Sequence, residues 1–192
     1  MLPTTLGTEP IGKLLKQFAI PAIIAMTASS LYNMIDSIFI GQGVGTLAIS
    51  GLAVTFPFMN LAAAFGSLVG VGASTMISVK LGQKDYDTAR KVLGNVLSLN
   101  IIIGVIFTVV SLLFLDQILY FFGASENTIP YARDYMVIIL WGNIITHCYL
   151  GLNSAMRSSG MPKQAMAATI LTVVLNAILD PLFIFVFKWG IQ

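Results

Sequence analysis

Between positions 93 and 115 the chain reads LGNVLSLNIIIGVIFTVVSLLFL, without one charged side chain. A helix that crosses the hydrocarbon core of a bilayer needs about 20 such residues, and this run supplies them. Outward from it, four more stretches of the same kind appear, over 18–40, 52–79, 134–156 and 165–187. Breaker-rich segments separate them: Gly41-Gln42-Gly43-Val44-Gly45, Gly82-Gln83-Lys84-Asp85, Phe122-Gly123-Ala124-Ser125 and Ser159-Gly160-Met161-Pro162. Asn127 is the expected cap of the fourth helix, with Pro130 near its start. The fold class is therefore all-α, a multi-pass transmembrane protein with five spanning helices.

Composition agrees. Charged residues are 9% of the chain, against roughly 25% in an average soluble domain. Hydrophobic residues are 57% and the mean hydropathy is +0.89. Lipid is the solvent that tolerates such a surface. The first twelve residues carry no positive n-region, and the first apolar run is long enough to span, so no cleaved leader is expected. A single cysteine, Cys148, excludes an internal disulfide framework. No Walker A, HExxH or GxGxxG motif is present, so no enzyme and no cofactor is expected. Basic residues are not interleaved with aromatics, so nucleic acid is not an expected partner. With the N-terminus inside, eight of the ten lysines and arginines fall on the cytoplasmic side: Lys13, Lys16, Lys80, Lys84, Arg90, Lys91, Arg157 and Lys163. Only Arg133 and Lys188 fall outside, a strong positive-inside bias.

Of the eight acidic residues, only Asp36 and Asp180 fall inside the spans, and the other six sit in loops or at helix ends, as Asp134 does. A carboxylate at a helix centre costs about 2.5–3.5 kcal/mol on insertion scales, so such residues are read as functional. Asp36 lies about four residues from the outer end of the first helix, and Asp180 about seven from the outer end of the fifth, at 1.5 Å per residue. Both helices run inside to outside, so the acids share one depth in the outer half of the membrane. Tyr32 and Asn33 lie at i−4 and i−3 from Asp36, and Asn176 lies at i−4 from Asp180. Pro181 removes the amide that would bond the carbonyl of Ala177, leaving an oxygen for a cation or a kink. Carboxylate, amide and carbonyl oxygens suit Na⁺. A carboxyl taken out of water also suits a transported proton.

Other features have plainer readings. Gly66, Gly70 and Gly72, with Ser67, Ala73 and Ser74, read as a surface for close helix packing. His147 and Cys148 are sequence neighbours that diverge on a helix, so they are not read as a metal pair. Pro21 and Pro57 are candidate bends.

The sequence also resembles a known family. Leu6-Gly7-Thr8-Glu9-Pro10-Ile11, Leu14-Leu15-Lys16 and Pro21 look like the start of multidrug and toxic compound extrusion (MATE) transporters, of the DinF-like bacterial branch. Tyr32-Asn33-Met34-Ile35-Asp36 with Phe39-Ile40-Gly41 resembles that family's first helix, and Lys80-Leu81-Gly82-Gln83-Lys84-Asp85 with Ala89 its first cytoplasmic loop. Asn153 with Arg157, Gly160 and Lys163 is similar to the end of its fourth helix, and Asn176-Ala177-Ile178-Leu179-Asp180-Pro181-Leu182-Phe183 to its fifth.

The resemblance implies an antiporter in a bacterial plasma membrane (the inner membrane in a Gram-negative cell), coupled to Na⁺ or H⁺ and exporting organic, often cationic, compounds by alternating access. It implies a cation or proton site built from Asp36, Asn176 and Asp180, with Tyr32, Asn153 and Tyr135 as neighbours; Asn153 fits poorly by depth, since it falls near the inner end of its helix. The family has twelve helices in two six-helix lobes, so five helices amount to part of the N-terminal lobe. The sixth helix and the C-terminal lobe would then be missing partners, and this length alone would not transport. Two other readings stay open at this stage. One is a lipid-linked oligosaccharide flippase of the same superfamily, against which stands the lack of Lys or Arg within the spans. The other is a non-transporting scaffold subunit, which leaves the acid pair unexplained.

Overall fold

The computed structural model describes residues 9–43 and 46–182, with side chains throughout except at 40–48. Among the described residues six helices follow one another: α1 (Ile11–Gly43), α2 (Thr46–Gly82), α3 (Tyr86–Leu113), α4 (Leu115–Phe121), α5 (Ile129–Ser158) and α6 (Pro162–Pro181). Five of them, all but α4, are long and apolar enough to cross a membrane. They extend beyond the purely apolar windows because polar caps and interfacial residues continue the helical turn at each end. The expected fifth span, 165–187, passes beyond the described residues at 183.

The ends have identifiable causes. Asp85 starts α3, its carboxylate accepting from Thr88 N at 3.2 Å. Lys84 before it adopts φ 59°, a left-handed turn that reverses the chain between α2 and α3. The expected cap Asn127 gives way to Thr128, whose side chain is engaged backward: Ser125 N donates to Thr128 Oγ1 at 2.9 Å. Pro130 does sit in the first turn of α5. The third span ends at Leu113 rather than Leu115. Leu115–Phe121 then forms a separate short helix that the unbroken apolar run concealed. Pro21 and Pro57 lie inside α1 and α2, which continue through them, as spanning helices often do.

The centre of the bundle is the α2–α3–α5 trio. At one end, Phe58, Leu115, Leu119, Ala132, Met136 and Leu140 form an apolar cluster, and Phe58 stacks on Phe107 with ring centroids 5.5 Å apart. Deeper in, the packing is closer and more polar. A Cβ on Gly70 would stand 2.6 Å from Gly151 Cα, so the α2 and α5 backbones meet where neither has a side chain. One turn on, Ser74 Oγ reaches Ser154 O at 3.4 Å, and a turn further Ser78 Oγ donates to Ser158 O at 3.0 Å. Gly72, by contrast, points into open space, so the small-residue face of α2 narrows to Gly66, Gly70 and Ser74. α6 lies mainly against α1, and α1 touches α2 little. The outside is apolar: Trp141 is 72% and Ile145 76% exposed, a surface that belongs in lipid.

Connectivity places the α2–α3 turn, the end of α5 and the start of α6 at one end of the bundle, with Lys80, Lys84, Arg90, Lys91, Arg157 and Lys163. The opposite end carries α4 and the exposed pair Arg133 Nη1–Asp116 Oδ2 at 3.5 Å.

Candidate functional site

α1 and α6 each bring an acid to the seam between them. Tyr32 and Asp36 lie one turn apart on α1, and Asn176 and Asp180 one turn apart on α6; all four side chains are half-buried. The Tyr32 phenol faces the Asp180 carboxylate. Asp36 lies within Coulombic range of Asp180, and Tyr135, half-buried on α5, within range of both acids. Asp180 Oδ2 is out of solvent and has no hydrogen-bond partner among the described residues. Neither acid has a lysine or arginine among its described neighbours.

That arrangement has a chemical consequence. Two carboxylates close together and partly out of water repel each other unless a cation or a proton sits between them. The donor set is oxygen only: two carboxylates, the Asn176 amide one turn below and the two phenols. Among the described residues no group of three or more His, Cys, Asp or Glu converges. The oxygens therefore fit a hard monovalent cation or a proton and do not resemble a transition-metal site.

Asn153 lies elsewhere. Its Nδ2 donates to Ala165 O at 3.1 Å, near the start of α6, and its Oδ1 accepts from Arg157 Nε at 3.0 Å. Ala165 and Asp180 are about 22 Å apart along α6 at 1.5 Å per residue, so Asn153 is not in the acid cluster. It lines a cavity of about 720 Å³ bounded by α1, α2 and α5, together with Phe18, Met26, Ser67, Val71 and Arg157. Asn33 is exposed, and its carbonyl accepts from Ser37 Oγ at 2.8 Å.

A family model described as MatE matches residues 21–182. The chain belongs to the MATE family. It is 33% identical over 175 residues to the multidrug export protein MepA of Staphylococcus haemolyticus (strain JCSC1435), covering 91% of this chain and 39% of that protein. It is 32% identical over 183 residues to MepA of Staphylococcus aureus (strain NCTC 8325 / PS 47), covering 95% and 41%. Among solved structures, a MATE crystal structure in the straight conformation superposes with a TM-score of 0.90 and 29% identity, over 100% of this chain and 42% of that one. One in the bent conformation gives 0.87 and 30%, over 94% and 40%. The chain thus spans about two fifths of the length of the MATE proteins it matches.

One polar system escaped the sequence reading. Asn143 Nδ2 donates to Thr108 Oγ1 at 3.3 Å, and Thr108 Oγ1 donates to Leu140 O at 3.2 Å, tying α5 to α3. His147, one turn further along α5, is fully buried against Phe107, with ring centroids 5.9 Å apart. The signal was present: Asn143, His147 and Gly151 recur every four residues on α5, opposite Asn100, Gly104 and Thr108 on α3.

Proposed function

We propose that this chain is the ion-binding part of a cation-coupled multidrug exporter. The observation that carries the reading is the Asp36–Asp180 pair across α1 and α6, with no basic counter-charge and one orphaned carboxylate oxygen. Na⁺ or H⁺ binding there neutralises the pair and draws α1 toward α6. Loss of the ion lets the acids push the two helices apart. The solved relatives exist in straight and bent conformations, and an ion that favours one arrangement of α1 shifts the population between two such states. Asn176 supplies an amide oxygen to the ion, and Tyr32 and Tyr135 orient the carboxylates. The cavity beside Asn153, with aromatic, methionine and hydroxyl groups on its walls, takes an organic compound. The protein sits in a bacterial plasma membrane with its N-terminus inside. It works with a sixth spanning helix and a second lobe, since alternating access needs two halves that rock. The flippase and scaffold readings gain no support from the relatives.

The test is thermal unfolding of the purified chain in detergent, titrated with NaCl against choline chloride. Na⁺ at about ten times its Kd adds roughly 1.4 kcal/mol of stability to the wild type. Asp36→Asn and Asp180→Asn remove that gain while remaining folded. A gain that survives both substitutions overturns the Na⁺ site. A wild type insensitive to Na⁺, with a pH dependence that both substitutions abolish, assigns the site to protons.

A further inference from the structure

At the basic end of the bundle, a pocket of about 190 Å³ lies where α2 ends, α3 begins and α5 is capped. Its walls are apolar except at Tyr86, Arg90 and Ser159: Ile77 and Leu81 come from α2, Ala89 and Leu93 from α3. The volume is below the roughly 300–1,000 Å³ of sites for drug-sized molecules. No carboxylate lines it. Asp85, the acid of the adjoining turn, is committed to Thr88 N at 3.2 Å and to Lys80 Nζ at 3.4 Å. Among the described residues Arg90 has no ion-pair partner. Asp87, exposed and one turn before Arg90, stands outside the pocket.

The hydroxyl of Ser159 gives its proton to Ala155 O at 2.7 Å, so Arg90 and the Tyr86 phenol are the donors left to an anion. Above the pocket, α3 continues the same face as a run of exposed apolar side chains. Leu93, Leu97, Ile101 and Val105 follow at four-residue spacing, each 40–42% exposed. A phosphate-sized, basic, acid-free pocket thus shares Leu93 with an apolar track that runs along α3. A soluble phosphate compound has no use for that track, and a neutral lipid has no use for Arg90. The combination fits a molecule with an anionic head and an acyl chain.

We propose that this pocket binds the headgroup of an anionic phospholipid in the leaflet at the basic end. Its phosphate sits on Arg90 and Tyr86, and one acyl chain lies along Leu93, Leu97 and Ile101. The site is separate from the acid pair and does not depend on the transport reading.

The experiment is native mass spectrometry of the chain released from mixed micelles holding equal phosphatidylglycerol and phosphatidylcholine. The wild type retains phosphatidylglycerol about fivefold more than phosphatidylcholine, the size one basic residue contributes near an anionic surface. Arg90→Gln removes the preference. Leu93→Trp, which fills the pocket and keeps Arg90, lowers phosphatidylglycerol retention too; it decides the matter if Arg90→Gln does not fold. Lys91→Gln, outside the pocket, keeps the wild-type preference. Equal retention of the two lipids by the wild type, full retention by Leu93→Trp, or an equal loss in Lys91→Gln would each overturn the proposal.

Discussion

At the scale of single residues, two positions show how little space and charge this bundle leaves uncommitted. A methyl group on Gly70 meets the Gly151 backbone at 2.6 Å, and backbone cannot step aside as a flexible side chain can. Gly70→Ala must therefore spread α2 from α5, at about 1–3 kcal/mol by the usual cost of overpacking. Gly72→Ala, which meets nothing within 4 Å, serves as the control and gains slightly from alanine's helix propensity. Equal thermal midpoints for the two variants in detergent would remove the close contact from the account. Asp85 gives the pH dependence. Its bond from Thr88, with help from Lys80, holds the carboxyl below the usual carboxylate range. A carboxyl lowered on folding stabilises above its unfolded value of about 3.9, and that stability is lost as pH falls through the lower folded value. Asp85→Ala thus unfolds at a lower temperature than the wild type at pH 7, and the gap closes well below about pH 4. A gap that persists unchanged into acid means that the cap is not what Asp85 contributes.

At the scale of elements, α6 is the helix whose attachment matters, because it carries Asn176 and Asp180. Its fixed end is the basic one. Thr169 Oγ1 donates to Ala165 O at 3.1 Å, so the Tyr149 hydroxyl donates to Thr169 Oγ1 at 2.9 Å, and Asn153 reaches the same turn. The end bearing the acids lies against α1, so the acid pair joins the two helices that are least packed into the α2–α3–α5 core. A double-mutant cycle with Tyr149→Phe and Thr169→Val should give a coupling of about 0.6 kcal/mol, the average for interhelical hydrogen bonds in membranes. A coupling indistinguishable from zero would release α6 from that anchor. Helix existence was legible in the sequence, since a run such as 93–115 has one solvent in which it is stable. The Phe114 break and α4 were not, because Leu112-Leu113-Phe114-Leu115 is as apolar in a bend as in a span. Asp36 and Asp180 stood out because charge in lipid is rare. Asn143 with Thr108, and Asn153 with Ala165, did not. Which polar side chains meet across two helices depends on their crossing and rotation, and one chain's composition does not fix either. Depth along a helix argued against Asn153, which the family resemblance nevertheless placed beside the acids; its bonds to Ala165 and Arg157 put it at the other end of α6.

At the scale of the whole molecule, the question is which way the bundle sits in its membrane, because the acid pair, the cavity and the proposed lipid pocket all inherit their sides from that. The basic end holds Lys80, Lys84, Arg90, Lys91, Arg157 and Lys163, while Arg133 at the other end is partly offset by Asp116. Positively charged short loops favour the cytoplasmic side, so we propose that the acid pair lies toward the outer face and that the proposed lipid pocket faces the inner leaflet. Cysteine labelling tests this directly, because Cys148 is the chain's single cysteine and Cys148→Ser gives a clean background. Lys84 in the α2–α3 turn and Glu126 before α5 are both exposed and lie at opposite ends. In intact cells, a membrane-impermeant maleimide should label Glu126→Cys and leave Lys84→Cys unlabelled until the membrane is opened. The reverse pattern would place the acid pair on the inner side, and cation entry at Asp36 and Asp180 would then have to be argued from the cytoplasm. Labelling of both sites in intact cells would mean that the chain inserts in two orientations, and a site with a fixed outer mouth could not be assigned to it.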